Sequence, residues 1–301
     1  MMDCVIGMDV GGTNIRLGAV NEKGELFYER STSSRNVEGN DAGKKLLKIL
    51  KEYCGSLRNV NIRAVSVSFP GILNRERTKT LSIPNVEGLS GVEFGETYSK
   101  VIGAPVWGDN DACMLMYYDM KVNQIPMEGM TIGIYVGTGL ANVFMLNGEP
   151  YLGKNGVAGE LSHIPVIGKE ELCGCGLKGC LELYAAGKGL ERICAKHYPG
   201  EFIGDIFKIH GEEAPLQEYV KMLAQAIAIE ITLLDPDYLC LGGGVLNMER
   251  FPLEQLAELV KKYARQPLPA ENLKIIFSRQ SGAYNGVIGS GLYGWHRLKK
   301  Q

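Results

Sequence analysis

The stretch Cys4-Val-Ile-Gly-Met-Asp-Val-Gly-Gly-Thr-Asn-Ile-Arg-Leu-Gly-Ala-Val20 decides the fold, because two apolar runs flank a glycine pair. Short apolar runs that are bounded by glycine are typical of buried strands. We therefore predict a hairpin with strands over Cys4–Val10 and Ile15–Val20 and its tip at Gly11–Asn14. A plain hairpin turn would explain the glycine pair on its own.

The tip also has the chemistry of a phosphate site. Backbone N–H groups at Gly11 and Gly12 can approach a phosphate closely, and the Thr13 hydroxyl adds a donor. Asp9 stands at the end of a buried strand, where a carboxylate is poorly solvated, so we expect a cation such as Mg²⁺ beside it.

A second apolar hairpin follows over Met130–Leu146, and it turns at Gly137, Thr138 and Gly139. It repeats the order of the first hairpin: a strand, a glycine-threonine turn and a strand. We therefore predict two related halves, each with one phosphate-binding turn.

Hydrophobic periodicity elsewhere predicts strands that alternate with helices, which is typical of α/β proteins. The predicted helices cover 44–53, 112–118, 216–234, 251–263 and 285–298, and the predicted strands cover 62–69, 105–108, 238–241 and 273–277. Asn110 and Asp111 follow one strand directly, at the end where open α/β sheets bind ligands. Gly242, Gly243 and Gly244 follow another, and they would either admit a flat ligand or form an ordinary loop.

Between Gly159 and Glu182 the chain concentrates metal-binding side chains. His163, Cys173, Cys175 and Cys180 form a Cys₃His set, which suits a closed, structural zinc site. The alternative is three buried free thiols and a surface histidine. The nearby glycines Gly174, Gly176 and Gly179 are expected to adopt positive φ. We infer that the metal would fix a loop that presents Glu160 and Glu182 to a ligand.

Composition narrows the function classes. The 301 residues are 45% hydrophobic and 22% charged, as in ordinary soluble proteins of one large or two medium domains. A net charge of −2 gives no electrostatic basis for binding nucleic acid or an anionic membrane. There is no signal-peptide pattern and no apolar run of about 18 residues. Eight cysteines then indicate reduced thiols plus a metal site, and hence a cytoplasmic protein.

These motifs together resemble the ROK family of sugar kinases over nearly the whole chain. The resemblance is carried by Asp9-Val-Gly-Gly-Thr13, Asn110-Asp111, Gly137-Thr-Gly139, Glu160-x-x-His163, the cysteines from Cys173 to Cys180 with Glu182, and Gly242-Gly-Gly244. It implies a two-lobed, actin-like (ribonuclease-H-like) ATPase fold of the α/β class with a structural zinc knuckle. Residues 1–115 would form a smaller lobe joined by a closing helix at about 285–301, and 116–284 a larger one, with the active site in the cleft.

The resemblance also implies a reaction, in which the γ-phosphate of ATP passes to a sugar hydroxyl, usually on carbon 6. Asp111 would be the general base. The sugar would be held by Asn85, Asn110, Asp111, Glu160, His163 and Glu182. ATP and Mg²⁺ would be held by Asp9, Gly11, Gly12, Thr13, Asn14, Gly137, Thr138 and Gly139, with Gly242, Gly243 and Gly244 at the adenosine. A homodimer is common in the family.

Within the family the chain is most similar to the kinases of D-allose. Glucose, fructose and N-acylhexosamines are alternative substrates. The chain departs from the family pattern in two places: Leu140-Ala141-Asn142 replaces further glycines, and Ser162 replaces a glycine before His163.

A non-catalytic sugar sensor is the alternative of a different class. Repressors of the family carry a DNA-binding domain before the first hairpin, whereas only eight residues precede Asp9, so we expect an enzyme. The remaining histidines are expected to be surface or satisfied polar residues whose partners the sequence does not name, and the remaining cysteines to be core thiols. They are His197, His210 and His296, and Cys4, Cys54, Cys113, Cys194 and Cys240.

Overall fold

The structure is a computed structural model, and it describes residues 1–278 and 282–300. The strands are β1 Met2–Val10, β2 Asn14–Val20, β3 Leu26–Ser33, β4 Val60–Phe69, β5 Ile72–Leu73, β6 Thr80–Ser82, β7 Val106–Asn110, β8 Met130–Val136, β9 Leu140–Leu146, β10 Glu149–Pro150, β11 Tyr238–Gly242 and β12 Lys274–Phe277. The α-helices are α1 Ala42–Ser56, α2 Gly95–Ile102, α3 Asp111–Val122, α4 Glu182–Ala185, α5 Gly187–His197, α6 Ile206–His210, α7 Ala214–Leu234, α8 Leu253–Tyr263 and α9 Asn285–Leu298. Short 3₁₀ helices cover Ser34–Asn36, Leu161–His163 and Ile203–Asp205.

The chain divides into two compact units. The first comprises Met1–Gln124, Leu152–Ala158 and Gly282–Gln301, and the second comprises Ile125–Tyr151 and Gly159–Ser281. The sequence-based boundary at residue 115 falls inside α3, and the whole of this helix lies in the first unit. Helix α9 also lies in the first unit. The short return of the chain at Leu152–Ala158 had no signal in the sequence.

The first unit is built on a five-stranded sheet in the order β3-β2-β1-β4-β7. Strands β1 and β2 pair antiparallel with Asp9 opposite Arg16, which confirms the predicted first hairpin. Strands β4 and β7 extend the sheet in parallel. Strand β3 was not predicted, because this edge strand is largely exposed and lacks an apolar alternation.

Close packing brings α9 onto this sheet and onto α3. A Cβ at Gly289 would overlap the carbonyl oxygen of Met114 in α3. A Cβ at Gly7 in β1 would likewise overlap the carbonyl oxygen of Val287 in α9. Glycine at these two positions therefore lets backbone approach backbone, which fixes the start of α9 beside the end of β1.

The second unit repeats the pattern of the first. Its sheet has the order β10-β9-β8-β11-β12, with β8, β9 and β10 antiparallel and β11 and β12 added in parallel. This is the strand order and direction of the first sheet, so the two predicted halves share one topology. The predicted second hairpin is confirmed.

Helix α7 supplies much of the second unit's separate core. The predicted apolar stripe is buried at Leu216, Val220, Leu223, Ile227 and Ile231. Among the described residues, no helix combines the length and the apolar character that a membrane span requires.

Candidate functional site

In the first unit, the tip of the β1–β2 hairpin keeps two donors available. The Gly11 N–H donates to the Asn14 carbonyl over 2.9 Å. Ser34 satisfies two carbonyls of the tip: its N–H donates to Thr13 O over 3.0 Å and its hydroxyl to Gly11 O over 2.5 Å. Among residues 1–278 and 282–300, no partner is found for the N–H groups of Gly12 and Thr13. The tip can therefore donate two hydrogen bonds to an anion.

Asn85 lies beside this tip. A Cβ at Gly12 would be 3.4 Å from the Asn85 Cβ, an ordinary contact, and the Asn85 side chain is exposed. The structure thus brings one predicted sugar ligand next to the predicted phosphate turn within the first unit.

Asn110 and Asp111 form the start of α3. The Asn110 side chain caps the helix by accepting a hydrogen bond from the Cys113 N–H over 2.8 Å. The Asp111 carboxylate accepts one from the Ala112 N–H over 2.9 Å and still reaches solvent. The surrounding protein depletes water around Asp111 and, with the negative charge of Asp9, raises its pKa to about 6. A carboxylate with this pKa is a suitable general base near neutral pH.

Asp9 is the second carboxylate of this group. Burial raises the pKa of Asp9, while Ser68 and Arg16 oppose that rise. Two poorly hydrated carboxylates that repel each other fit an oxygen-preferring cation such as Mg²⁺. The first unit therefore has donors for an anion at the β1–β2 turn and carboxylates for a cation at the end of β1 and the start of α3.

A buried ion pair that the sequence did not reveal involves Asp109, the residue directly before Asn110. The Arg77 Nε lies 3.2 Å from an oxygen of Asp109, and both side chains are almost fully buried. Burial raises the pKa of Asp109 and the Arg77 charge opposes that rise. Asp109 also accepts a hydrogen bond from the Asn110 N–H over 2.8 Å. Arg77 lies in the loop between β5 and β6, and no local signal predicts this contact.

In the second unit, the turn at Gly137–Gly139 has a similar pattern. The Gly137 N–H donates to Gly139 O over 2.9 Å, and the first N–H groups of α5 cover two carbonyls: Gly187 donates to Gly137 O over 2.8 Å and Lys188 to Thr138 O over 3.1 Å. The N–H groups of Thr138 and Gly139 have no partner within the part of the chain that the structure describes. This turn too can donate to an anion. The residues after Gly139 belong to β9, so the turn ends there.

The glycine triplet lies next to this turn, because β11 pairs with β8. Gly243 has a φ of +102°, and a Cβ there would overlap the backbone of Val136. The Val245 N–H donates to Val136 O over 2.9 Å. A Cβ at Gly244 would meet nothing within 4 Å. Gly243 therefore packs tightly against the turn strand, whereas Gly244 leaves open space beside its backbone.

The predicted sugar ligands of the second unit form one group. The His163 Nε2 lies 3.8 Å from an oxygen of Glu160. Burial raises the pKa of Glu160, His163 opposes the rise, and the charge of Glu182 adds to it. One oxygen of Glu182 would be 2.7 Å from a Cβ at Gly139, so the group adjoins the phosphate turn.

Lys188 is a member of this group that the sequence analysis missed. Its Nζ donates to the other Glu182 oxygen over 2.6 Å. This hydrogen bond raises the pKa of Lys188. The lysine therefore places a positive charge beside the turn at Gly137–Gly139. Only the packing of α5 against the turn brings the two together, so spacing along the chain gave no signal.

The Cys₃His set predicted from the sequence converges. The ligand atoms of His163, Cys173, Cys175 and Cys180 all lie within 4.8 Å of one another. The Cys175 and Cys180 sulfurs are 3.6 Å apart, and the Cys173 sulfur is 3.8 Å from the His163 Nδ1. Bonds of about 2.3 Å to a tetrahedral Zn²⁺ place sulfurs about 3.8 Å apart, so the donor set and its spacing fit zinc.

His163 can serve both groups at once, because its Nδ1 faces the thiols and its Nε2 faces Glu160. The loop around the thiols is closed by hydrogen bonds such as Cys173 N–H to Leu177 O over 2.8 Å. Gly176 and Gly179 have φ of +91° and +70°. Gly174 does not have positive φ, so that part of the prediction is wrong. A Cβ at this position would meet nothing within 4 Å, so the turn does not require glycine there.

Among the histidines whose partners the sequence did not name, His210 has two. Its Nδ1 lies 2.6 Å from a Glu213 oxygen and its Nε2 2.9 Å from Glu201, while the ring stacks on Tyr198. The rings of His197 and His296 contact Tyr198 and Tyr117. The predicted core thiols Cys4, Cys113, Cys194 and Cys240 are buried, and Cys54 is half-buried.

Comparison with known proteins gives consistent results. The profile of the ROK family matches residues 5–293. The N-acetyl-D-glucosamine kinase of Photobacterium profundum is 31% identical over 305 residues, which cover 94% of this chain and 97% of that protein. A ROK hexokinase from Thermus thermophilus superimposes with a TM-score of 0.78 and 26% identity over 99% of both chains. A ROK family glucokinase from Streptomyces griseus, in complex with glucose and AMPPNP, shares the fold with a TM-score of 0.74 and 22% identity, over 96% of this chain and 98% of that one.

Proposed function

This chain belongs to the ROK family and is a sugar kinase, and we propose that it transfers the γ-phosphate of ATP to a hydroxyl group of N-acetyl-D-glucosamine or D-allose. The observation that carries the phosphotransfer is the pair of glycine-threonine turns, one in each unit, each with N–H donors that find no partner among the described residues. Phosphoryl transfer depends mainly on positioning and on stabilising charge, which such donors provide.

The identity of the hexose has two sources of support. N-acetyl-D-glucosamine is the sugar that the matched Photobacterium kinase is named for, at 31% identity over almost the whole chain. D-Allose is the sugar that the resemblance of the sequence to the kinases of D-allose implies. Discrimination between such sugars requires fixed acceptors, because a polar group left unpaired in a binding site costs about 1–3 kcal/mol.

We assign the proton transfer to Asp111. Its pKa of about 6 leaves it mostly ionised at neutral pH, so it can accept the proton of the attacking hydroxyl. Asn85, Asn110, Glu160, His163 and Glu182 would orient the sugar. Asp9 would hold Mg²⁺, which when bound neutralises charge on the phosphates. The turns at Gly11–Asn14 and Gly137–Gly139 would hold the phosphates, and Gly242–Gly244 the adenosine.

We also propose that His163, Cys173, Cys175 and Cys180 hold a structural Zn²⁺. The support is the convergence of four ligand atoms within 4.8 Å. A site with four protein ligands leaves no open position, so it would stabilise the loop that carries Glu160 and Glu182 and take no part in the chemistry.

The test is a coupled assay of ADP release with N-acetyl-D-glucosamine, D-allose, D-glucose, N-acetylmannosamine and D-fructose, with the product identified by ³¹P NMR. We expect turnover with one of the first two sugars. Absence of turnover with every hexose would refute the proposal. The variant Asp111→Asn is the matched control, since it keeps the shape of the side chain and removes the base.

A further inference from the structure

A buried carboxyl group in α7 is not used by the reaction described above. Glu230 is 8% exposed, on a helix whose neighbouring core positions are apolar. One of its oxygens accepts a hydrogen bond from the Asn142 Nδ2 over 2.9 Å. The other oxygen is buried with no partner among the described residues. An apolar residue would avoid the cost of burying this group, so the carboxyl calls for a specific role.

Asn142, which is 5% exposed in β9, connects Glu230 to the segment that carries Glu160. The Asn142 Oδ1 accepts a hydrogen bond from the Leu161 N–H over 3.1 Å. On the other side of Glu160, a Cβ at Gly159 would be 3.0 Å from the backbone oxygen of Asn142. Both neighbours of Glu160 therefore rest against one residue.

The amide orientation of Asn142 follows from these bonds. The Leu161 N–H can only donate, so the amide oxygen of Asn142 must face it. The NH₂ group then faces Glu230, which must accept. Without an acceptor at position 230, the amide would lose the contact that selects this orientation. Glu230 thus fixes Asn142, and Asn142 fixes the backbone at Leu161.

We propose that Glu230 is a positioning residue that acts through Asn142 to hold the backbone on both sides of Glu160, and that it thereby sets the affinity of the enzyme for its sugar. The inference rests on the proposed function, in which Glu160 is a sugar ligand. Because the Gly137–Gly139 turn is held by α5 instead, the effect should be specific to the sugar and spare ATP.

The test compares Glu230→Leu, Glu230→Gln and Asn142→Ala with wild type in the intact chain. The probes are N-acetyl-D-glucosamine and D-allose, with the dissociation constant measured by calorimetry without nucleotide and KM and kcat by ADP release. Glu230→Leu and Asn142→Ala should each raise the KM and Kd for the sugar about tenfold, and the KM for ATP should stay within about twofold. Glu230→Gln retains an acceptor and should stay within about twofold of wild type. The double variant Glu230→Leu/Asn142→Ala should raise the KM and Kd for the sugar no more than Asn142→Ala alone, because both changes break the same connection.

Glu218→Leu is the matched control, since Glu218 lies on the exposed face of α7 and pairs with the exposed Lys221. It should leave every constant unchanged. An unchanged sugar affinity in Glu230→Leu and Asn142→Ala would overturn the inference, and so would an equal loss for ATP and sugar. If Glu230→Leu does not fold, Asn142→Ala decides alone. A wild-type protein that binds sugar without phosphorylating it would refute the proposed function only, and the dissociation constants would still test the inference.

Discussion

Replacing Glu230 by glutamine should remove a pH dependence from the stability of the second unit. Burial raises the pKa of Glu230 from 4.5 to about 7 in the folded chain, and the hydrogen bond from Asn142 opposes part of that rise. Between these two values the folded protein holds a proton that the unfolded chain has lost. Stability therefore falls as the pH rises from about 4.5 to about 7.

The size of the effect follows from the pKa shift. One pKa unit corresponds to about 1.4 kcal/mol, so the shift of Glu230 represents about 3 kcal/mol of unfolding free energy. Glutamine keeps the acceptor for Asn142 and cannot ionise. Part of this effect is already expressed at pH 5, where the unfolded Glu230 is mostly ionised. The unfolding free energy should therefore fall by about 2–3 kcal/mol less in the variant than in wild type between pH 5 and pH 8. The comparison subtracts the change between the two pH values in wild type from the same change in the variant, so any packing cost of the substitution that is equal at both pH values cancels.

Urea unfolding followed by circular dichroism measures this quantity. Trp107 and Trp295 both lie in the first unit, so tryptophan fluorescence recorded in parallel reports on the unfolding of that unit. Equal pH dependence of the dichroism transition in wild type and Glu230→Gln would refute the assignment of a raised pKa to this carboxyl.

Three further perturbations test other parts of the site. Asp111→Asn should lower kcat by about 10²–10⁴-fold while the sugar still binds, and the wild-type kcat/KM should fall as the pH drops below about 6; a flat acidic limb would contradict the role of the base. Purified protein should contain one zinc per chain. Chelation or Cys175→Ser should raise the sugar KM, while tryptophan fluorescence from the first unit is unchanged. Active protein that contains no zinc would refute the proposed zinc site. Glu213 and then Glu201 raise the pKa of His210, so the contacts of the protonated His210 with these glutamates stabilise α6 below pH 6.5, and this contribution is lost as the pH rises through the folded pKa. Hydrogen exchange in α6 should therefore respond to His210→Gln more strongly at pH 6 than at pH 9. An equal response at both pH values would contradict the role of these contacts.

Much of the architecture was predictable because it depends on local patterns. The hairpins β1–β2 and β8–β9, the helix stripe of α7 and the bounds of α9 all follow from apolar periodicity that is interrupted by glycine. The Cys₃His set was predictable too, since its ligands lie within one short segment. Strand β3 and helix α5 were missed, because the first is an exposed edge and the second begins with two glycines in its first turn.

The sequence by itself therefore determined the family, the two glycine-threonine turns and the residue types of the site, because each of these is written in consecutive or closely spaced residues. Only the tertiary structure decided which side chains from distant parts of the sequence contact these turns and site residues. Lys188 meets Glu182 where α5 starts, Arg77 reaches Asp109 from a loop, and Glu230 contacts Asn142 across 88 positions of chain. Such contacts depend on how helices pack against sheets, and a buried charge has no periodicity that could reveal its partner.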